Sequence, residues 1–138
     1  CARKAIEETA RRGIRVGAHI ILGLPGEDAK ESLRQAPIIS SLPLTTLKIH
    51  QLQIIRGTRL AKMYAEKPFH LYTVEEYTKL IADYISLLRP DLVLERFVSQ
   101  SPPDLLIAPK WGLKNYEFTH RLHNYMKEKL NNKAQSDK

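Results

Sequence analysis

Three side chains that can move protons or bind anions fall on two predicted strands of this chain. His19 lies on the first strand, and Lys48 and His50 lie on the second. Residues two apart share one face of a strand, so Lys48 and His50 face one way, while Gln51 and Gln53 face the other. If Lys48, His50 and His19 point inward, the sheet encloses a polar interior suited to ligand binding or proton transfer. If the glutamines point inward, the interior is lined by amides.

Each of these residues also has a purely structural interpretation. A single histidine on a strand is commonly a satisfied structural residue, which applies to His19 and to His50. A buried ammonium group without a partner is costly, so Lys48 must pair with an acidic side chain, bind an anion or extend its amine to the surface. The three residues together are better evidence for a site than any one of them.

A second signal is the run Gly-Leu-Pro-Gly-Glu at residues 23–27, directly after an apolar strand. Glycine allows close backbone approach, and ligands of α/β proteins bind beyond the carboxyl ends of strands. The alternative interpretation is a simple tight turn, in which Pro25 fixes φ and Gly26 supplies a positive φ. The sequence contains neither a phosphate-binding glycine fingerprint nor a metal-ligand constellation, and we expect His120 and His123 to be a surface pair.

Helical and strand patterns alternate along the chain. The sequence predicts helices at residues 2–10, 28–40, 58–64, 74–88 and 115–130, and strands at residues 14–22, 46–55 and 92–98. Pro37 is expected to kink or divide the second helix, and Thr73 with Glu76 forms a capping box. This alternation predicts a parallel sheet with helical crossovers.

Composition narrows the class of protein. A chain of 138 residues with 43% hydrophobic content predicts one domain with a real core. The net charge of +7 favours anionic partners such as nucleotides, phosphates or RNA, although the lysines at 127, 129 and 133 are expected to lie on a solvated end. The sequence has no apolar run long enough to span a bilayer, and Cys1 is its single cysteine, so we predict a cytoplasmic protein without disulfides or a membrane partner.

Three stretches carry a resemblance to a known family: residues 13–27, 47–61 and 104–111. The first two resemble the fifth and sixth barrel strands of radical S-adenosylmethionine proteins, and the combination is similar to a bacterial subgroup of Fe–S oxidoreductases related to the Elongator catalytic subunit. The resemblance implies an α/β partial (β/α) barrel, the carboxyl-terminal half of a TIM-like barrel with mostly parallel strands, over residues 1–113. A basic helix and tail would follow at residues 114–138.

The resemblance also implies cofactors for the full-length protein. A [4Fe–4S] cluster held by three cysteines would bind S-adenosylmethionine and cleave it reductively to a 5′-deoxyadenosyl radical. His19, Lys48 and His50 would line the interior as candidate catalytic residues. Two strand ends would flank the adenine, at Ile21, Gly23, Leu24, Pro25 and Gly26 and at Leu52, Gln53, Ile54 and Ile55.

The sequence departs from the family in lacking the cysteine triad. Because the chain begins at Cys1 rather than Met, we expect a piece of a larger protein that is inactive without the missing amino-terminal half and binds neither cofactor tightly by itself. An open sheet edge would invite a dimer. The substrate is open between tRNA and a small molecule. Two alternatives remain: a non-catalytic basic RNA- or nucleotide-binding α/β module, and a small α/β interaction domain without a ligand.

Overall fold

The structure is a computed structural model that describes residues 1–136, so residues 137 and 138 of the predicted tail lie outside the described residues. The helices are α1 (Ala2–Arg11), α2 (Ala29–Ser41), α3 (Arg59–Glu66), α4 (Val74–Ser86) and α5 (Asn115–Ser136). The strands are β1 (Gly17–Leu22), β2 (Thr46–Gln51), β3 (Ile54–Ile55), β4 (Val93–Arg96) and β5 (Leu106–Ala108).

The main sheet has three strands in the order β1-β2-β4, with β2 parallel to both neighbours. Helices connect successive strands of this sheet, as parallel pairing requires. The predicted α/β class with mostly parallel strands is therefore confirmed. In the register of β1 and β2, His19 lies opposite Lys48 and Ile21 lies opposite His50.

The prediction of one continuous strand over residues 46–55 is wrong. After Gln51 the chain leaves the main sheet, and β3 pairs antiparallel with β5 in a separate two-stranded sheet. The change of direction buries Leu52 and Ile54 in a second hydrophobic cluster with Ala61 of α3. Burial of these side chains stabilises a path that the alternation of apolar residues alone does not reveal.

Two other strands are shorter than predicted. β1 begins at Gly17 rather than residue 14, since Ile14 is exposed and lies outside the sheet. β4 ends at Arg96 rather than residue 98, because the amides of Phe97 and Val98 donate to Asn115 Oδ1, at 3.0 and 3.4 Å. A side chain at the start of α5 thus takes the donors that a longer strand would have used.

Helix starts follow the predicted caps. Thr58 Oγ1 accepts a hydrogen bond from the Ala61 amide at 3.1 Å, and Thr73 with Glu76 forms the capping box of α4. Pro37 does not divide α2, which runs unbroken from Ala29 to Ser41. Burial of Ala36, immediately before the proline, holds this part of α2 against the core despite the lost backbone hydrogen bond.

Helices α2, α4 and α5 pack on one face of the main sheet. Their largest buried side chains include Tyr77, Tyr84, Phe118 and Leu122, which belong to the same core as Leu47 of β2. Helix α5 continues to Ser136 instead of ending near residue 130. Because Phe118 and Leu122 are buried in the common core, α5 packs as part of this unit; the division at residue 113 stays a prediction.

Candidate functional site

The two faces of the main sheet have different environments. On the face toward the helices, Leu22, Leu47 and Ile49 are fully buried. The alternate residues point to the opposite face, which we call the open face, and they are partly or largely exposed: His19, Ile21, Lys48 and His50. All the predicted catalytic candidates therefore share the open face, and in a closed barrel this face would be the interior.

His19 and His50 are in direct contact on the open face. His19 Nδ1 and His50 Nε2 lie 3.1 Å apart, and the two rings stack with an interplanar angle of 22°. His50 Nδ1 is also hydrogen-bonded to Ser99 Oγ, just beyond the end of β4. In one arrangement Ser99 donates to His50 and His50 donates to His19; in the other, His19 donates to His50 and His50 donates to Ser99. These two linked hydrogen bonds can therefore pass a proton between Ser99 and His19.

The surroundings of His50 favour its neutral form, compared with a histidine that is free in water. Partial burial lowers the pKa of His50, and the nearby charges of His19, Arg96 and Lys48 lower it further. A neutral imidazole can accept a proton, which a charged one cannot. His50 is thus suited to act as a base, with His19 beside it to share the proton.

Lys48 pairs with an acidic side chain, which is one of the three outcomes expected from the sequence. Its amine lies 3.4 Å from Glu95 Oε2, and both side chains are 38% exposed. The partner comes from an irregularity in strand pairing, since Leu47 aligns with Leu94 but Lys48 aligns with Arg96. The additional residue, Glu95, is left beside the lysine. Charge compensation and solvent access make this pair compatible with the polar surface of a site.

The loop after β1 forms the tight turn that its composition allows. The Glu27 amide donates to the Leu24 carbonyl at 2.9 Å, and Gly26 has φ +80°, the pattern of a type II turn. Gly23 has φ +94°, and a Cβ there would lie 3.1 Å from the Tyr72 ring, so a larger residue would be both strained and crowded. Leu24 is 44% exposed at the tip of the loop.

The carboxylate of the loop points away from the tip. Glu27 Oε1 accepts hydrogen bonds from Ser32 Oγ at 2.5 Å and from Gln35 Nε2 at 3.2 Å, both on α2. Glu27 therefore anchors the loop to the helix that follows it. The ends of β1 and β2 stay adjacent past the strands, because the Leu52 amide donates to the Leu22 carbonyl at 3.1 Å.

The two glutamines do not line the open face. Gln51 is buried on the helix side of β2, and its side chain exchanges two hydrogen bonds with the Ser99 backbone, at 2.8 and 3.1 Å. Gln53 donates to the Ser99 carbonyl at 3.3 Å and accepts from Ser101 Oγ at 2.7 Å. Of the predicted adenine-flanking residues, Ile54 has its side chain buried in the second cluster, which leaves its backbone for a ligand.

Sequence reasoning missed Ser99 and Glu95. Ser99 contacts His50, Gln51 and Gln53, and so it joins the ends of β2 and β4. A signal existed: the polar run Ser99, Gln100, Ser101 directly follows the predicted third strand, and carboxyl ends of parallel strands meet at one edge of a sheet. Glu95 could not be found in this way, because its position depends on the pairing irregularity.

The described residues do not fit an iron–sulfur cluster. Cys1 is exposed, and within residues 1–136 no three His, Cys, Asp or Glu side chains come together closely enough to hold a metal ion. Such a cluster needs thiolate ligands in addition. Adenine binding requires no thiolate ligands. Backbone groups at adjacent strand ends and an exposed apolar side chain such as Ile21 can bind it.

The sequence and the fold both have known counterparts. Residues 44–128 match the family described as Radical_SAM C-terminal domain. This chain belongs to that family. The match spans β2, β4 and most of α5, and therefore includes Lys48, His50 and Ser99.

Relatives extend the similarity over most of the chain. An uncharacterised protein of Methanocaldococcus jannaschii, MJ0486, is 32% identical over 127 residues, which cover 91% of this chain and 39% of that protein. The uncharacterised protein YtqA of Bacillus subtilis is 29% identical over 117 residues, which cover 85% of this chain and 36% of that protein. The chain thus spans less than two-fifths of the length of these two relatives.

A solved structure shares the fold. An archaeal Elp3 from Methanocaldococcus infernus, with an N-terminal deletion, has a TM-score of 0.80 at 21% identity, covering 93% of this chain and 30% of that chain. The resemblance to the carboxyl-terminal part of a radical S-adenosylmethionine-related protein is confirmed. In the described part of the chain, no helix has both the length and the apolar character needed to cross a membrane.

Proposed function

We propose that this chain is the carboxyl-terminal part of a radical S-adenosylmethionine enzyme and that its open face forms one wall of the reaction chamber. One observation carries the proposal: in a member of this family, the polar side chains of two parallel strands are gathered on the uncovered face, with His19 and His50 in contact. The cytoplasm is the expected location, where the single cysteine would stay reduced.

The cofactors of the full-length protein would be a [4Fe–4S] cluster and S-adenosylmethionine, which together supply a radical able to abstract hydrogen. The cluster ligands would come from outside the described residues, because residues 1–136 hold no suitable group. The backbone at residues 21–26 and 52–55 would flank the adenine, and Ile21, which is 47% exposed on the open face, would contact its ring. These are roles in binding and orientation.

The polar residues of the open face would act on the substrate. His50 would accept a proton, and His19 would share it across their 3.1 Å contact. Lys48 would attract an anionic group, with Glu95 limiting its charge. The substrate itself, tRNA or a small molecule, stays a proposal.

The full-length protein provides the first test. Reconstituted anaerobically with iron and sulfide, it should be brown and should release 5′-deoxyadenosine from S-adenosylmethionine when reduced. A colourless protein, or one whose reduced form leaves S-adenosylmethionine intact, contradicts the proposal. The sequence encoded upstream of Cys1 gives an independent check, since it should contain three closely spaced cysteines.

Substitution of His50 tests the role of the open face. In the full-length protein, His50→Ala should lower turnover much more than it lowers the midpoint of thermal unfolding, because the side chain is only partly buried. His123→Ala is the matched control: this histidine is exposed on α5 and should be silent in both assays. Equal losses of turnover and stability in His50→Ala would assign the residue to structure.

A basic binding module is the second candidate. The net charge of +7 favours it, and it requires no cofactor. In that case the chain itself would bind RNA with an affinity that falls steeply as salt is raised. The edge strand β1 adds a further proposal: no strand of residues 1–136 pairs with its outer side, which would then pair with the amino-terminal half of the barrel or form a dimer.

A further inference from the structure

A cavity lies near the ends of β2 and β4, with Ser99 among its lining residues. Its volume is about 520 Å³, within the usual range for small-ligand sites. Gln51 lines it, whereas His50, the preceding residue, points to the open face. The cavity therefore lies on the other face of β2 from His50, and Ser99 contacts both.

The wall of this cavity is held in place by hydrogen bonds. Gln51 exchanges two bonds with the Ser99 backbone, and Gln53 bonds both the Ser99 carbonyl and the Ser101 hydroxyl, at 2.7–3.3 Å. Because these amides are already satisfied, they contribute a fixed surface rather than mobile ligands. A preformed surface lowers the entropy cost of binding.

The charge of the cavity has one sign. Lys110 and Lys114 line it, and among its lining residues in the described chain there is no carboxylate. Within residues 1–136, neither lysine is in an ion pair; Glu117, three residues after Lys114, accepts a hydrogen bond from the Lys114 amide through Oε2 at 2.8 Å. Two uncompensated amines at one cavity favour an anionic group, phosphate above all.

An aromatic ring lies between the two lysines in sequence. Trp111 lines the cavity and is partly buried, with its ring packed against Tyr77 at a centroid distance of 5.2 Å. That contact fixes the indole while part of it remains at the cavity surface. A fixed aromatic surface next to cationic side chains suits a ligand that has both a flat ring and a phosphate.

We propose that this cavity binds a nucleotide, with its phosphate at Lys110 and Lys114 and its base against Trp111. The nucleotide can be a free nucleoside monophosphate or one residue of an RNA strand, since both present the same phosphate and ring. This inference does not depend on radical chemistry: the cavity borders residues 52–55 through Gln53, but the groups assigned to the nucleotide here, Lys110, Trp111 and Lys114, are not among those proposed for adenine.

The single tryptophan of the chain makes a direct test possible. Uridine 5′-monophosphate, added to the full chain, should quench Trp111 fluorescence in a saturable manner. Uridine is chosen because it is not a ligand for an adenine position. The double variant Lys110→Glu/Lys114→Glu should bind at least about tenfold more weakly, the loss expected when charge-assisted contacts are removed. Lys30→Glu on α2, which reverses one exposed charge outside the cavity lining rather than two within it, should bind within about twofold of the unaltered chain.

Two further ligands test which part of the nucleotide is recognised and whether it comes from RNA. Uridine alone should bind more weakly than its monophosphate, and a tetrauridylate that binds more tightly identifies RNA as the source of the nucleotide. A tetrauridylate that binds no more tightly identifies the free nucleotide. The proposal is overturned by unsaturable quenching, by equal affinity for uridine and its monophosphate, or by equal losses in the double variant and Lys30→Glu. Circular dichroism monitors folding, and Lys110→Gln/Lys114→Gln replaces the double variant if that one unfolds.

Discussion

The two faces of the main sheet are built from alternate residues of the same strands, yet they differ in almost every physical property. On the helix side, Leu47 and Ile49 have no exposed surface. On the open face, Ile21 is 47% exposed and lies among two histidines and a lysine. A strand thus divides its roles with a period of two residues: one face stabilises the fold, and the other remains available for chemistry.

Truncation of one isoleucine on each face gives the largest contrast. Ile49→Ala should lower the free energy of unfolding by about 2–5 kcal/mol, because it removes a buried side chain and leaves a cavity. Ile21→Ala, the same change on the neighbouring strand, should cost less than about 1 kcal/mol. Urea denaturation monitored by circular dichroism measures both, and similar losses would mean that the open face is covered in solution.

Removal of a buried hydroxyl should have an intermediate effect on the helix side. Tyr77 Oη donates to the Phe97 carbonyl at 2.5 Å, so Tyr77→Phe leaves a buried acceptor without a partner. We expect a loss of about 1–3 kcal/mol. Tyr116→Phe is the control, since Tyr116 is 67% exposed and should change stability little. Equal unfolding midpoints in urea for Tyr77→Phe and the unaltered chain would contradict the burial of this bond.

The stability of the folded chain should depend on pH through His50, which lies on the open face. Because burial and nearby charges lower the pKa of His50 in the folded chain below its ordinary value of 6.5, the unfolded chain binds a proton that the folded chain resists. This residue therefore costs stability as pH falls through about 6.5 toward its folded pKa. His50→Gln should lose less stability than the unaltered chain between pH 7 and pH 5, as measured by urea denaturation. His123→Gln should follow the unaltered chain, and identical pH profiles for all three proteins would contradict the expectation.

The ion pair of the open face should contribute least to the free energy of unfolding. Lys48 and Glu95 are 3.4 Å apart and 38% exposed, so a double-mutant cycle with Lys48→Ala and Glu95→Ala should give a coupling of about 0.2–1 kcal/mol. The coupling should shrink in high salt. A coupling of several kcal/mol would show instead that the pair is shielded from water, and the open face would then need a partner that covers it.

Much of the fold could be predicted from local signals. The caps Thr58 and Thr73 act within three residues, and the parallel sheet follows from the alternation of helices and strands. The ends of the strands were harder to predict from the sequence, because they depend on contacts with groups far along the chain. Asn115 takes the amides that would have extended β4, and burial of Ile54 with Ala61 draws the chain away from β2.

The sequence by itself determined which side chains share a face: the two-residue spacing of Lys48 and His50 is a property of any extended strand. It also determined the turn after β1, where the proline fixes φ and the glycines permit the positive φ values that the turn needs. Only the tertiary structure decided which face the helices cover, that His19 meets His50, and that Ser99 bonds His50. Those contacts join residues 31 and 49 positions apart, and their geometry depends on the register of parallel strands, which local interactions do not set.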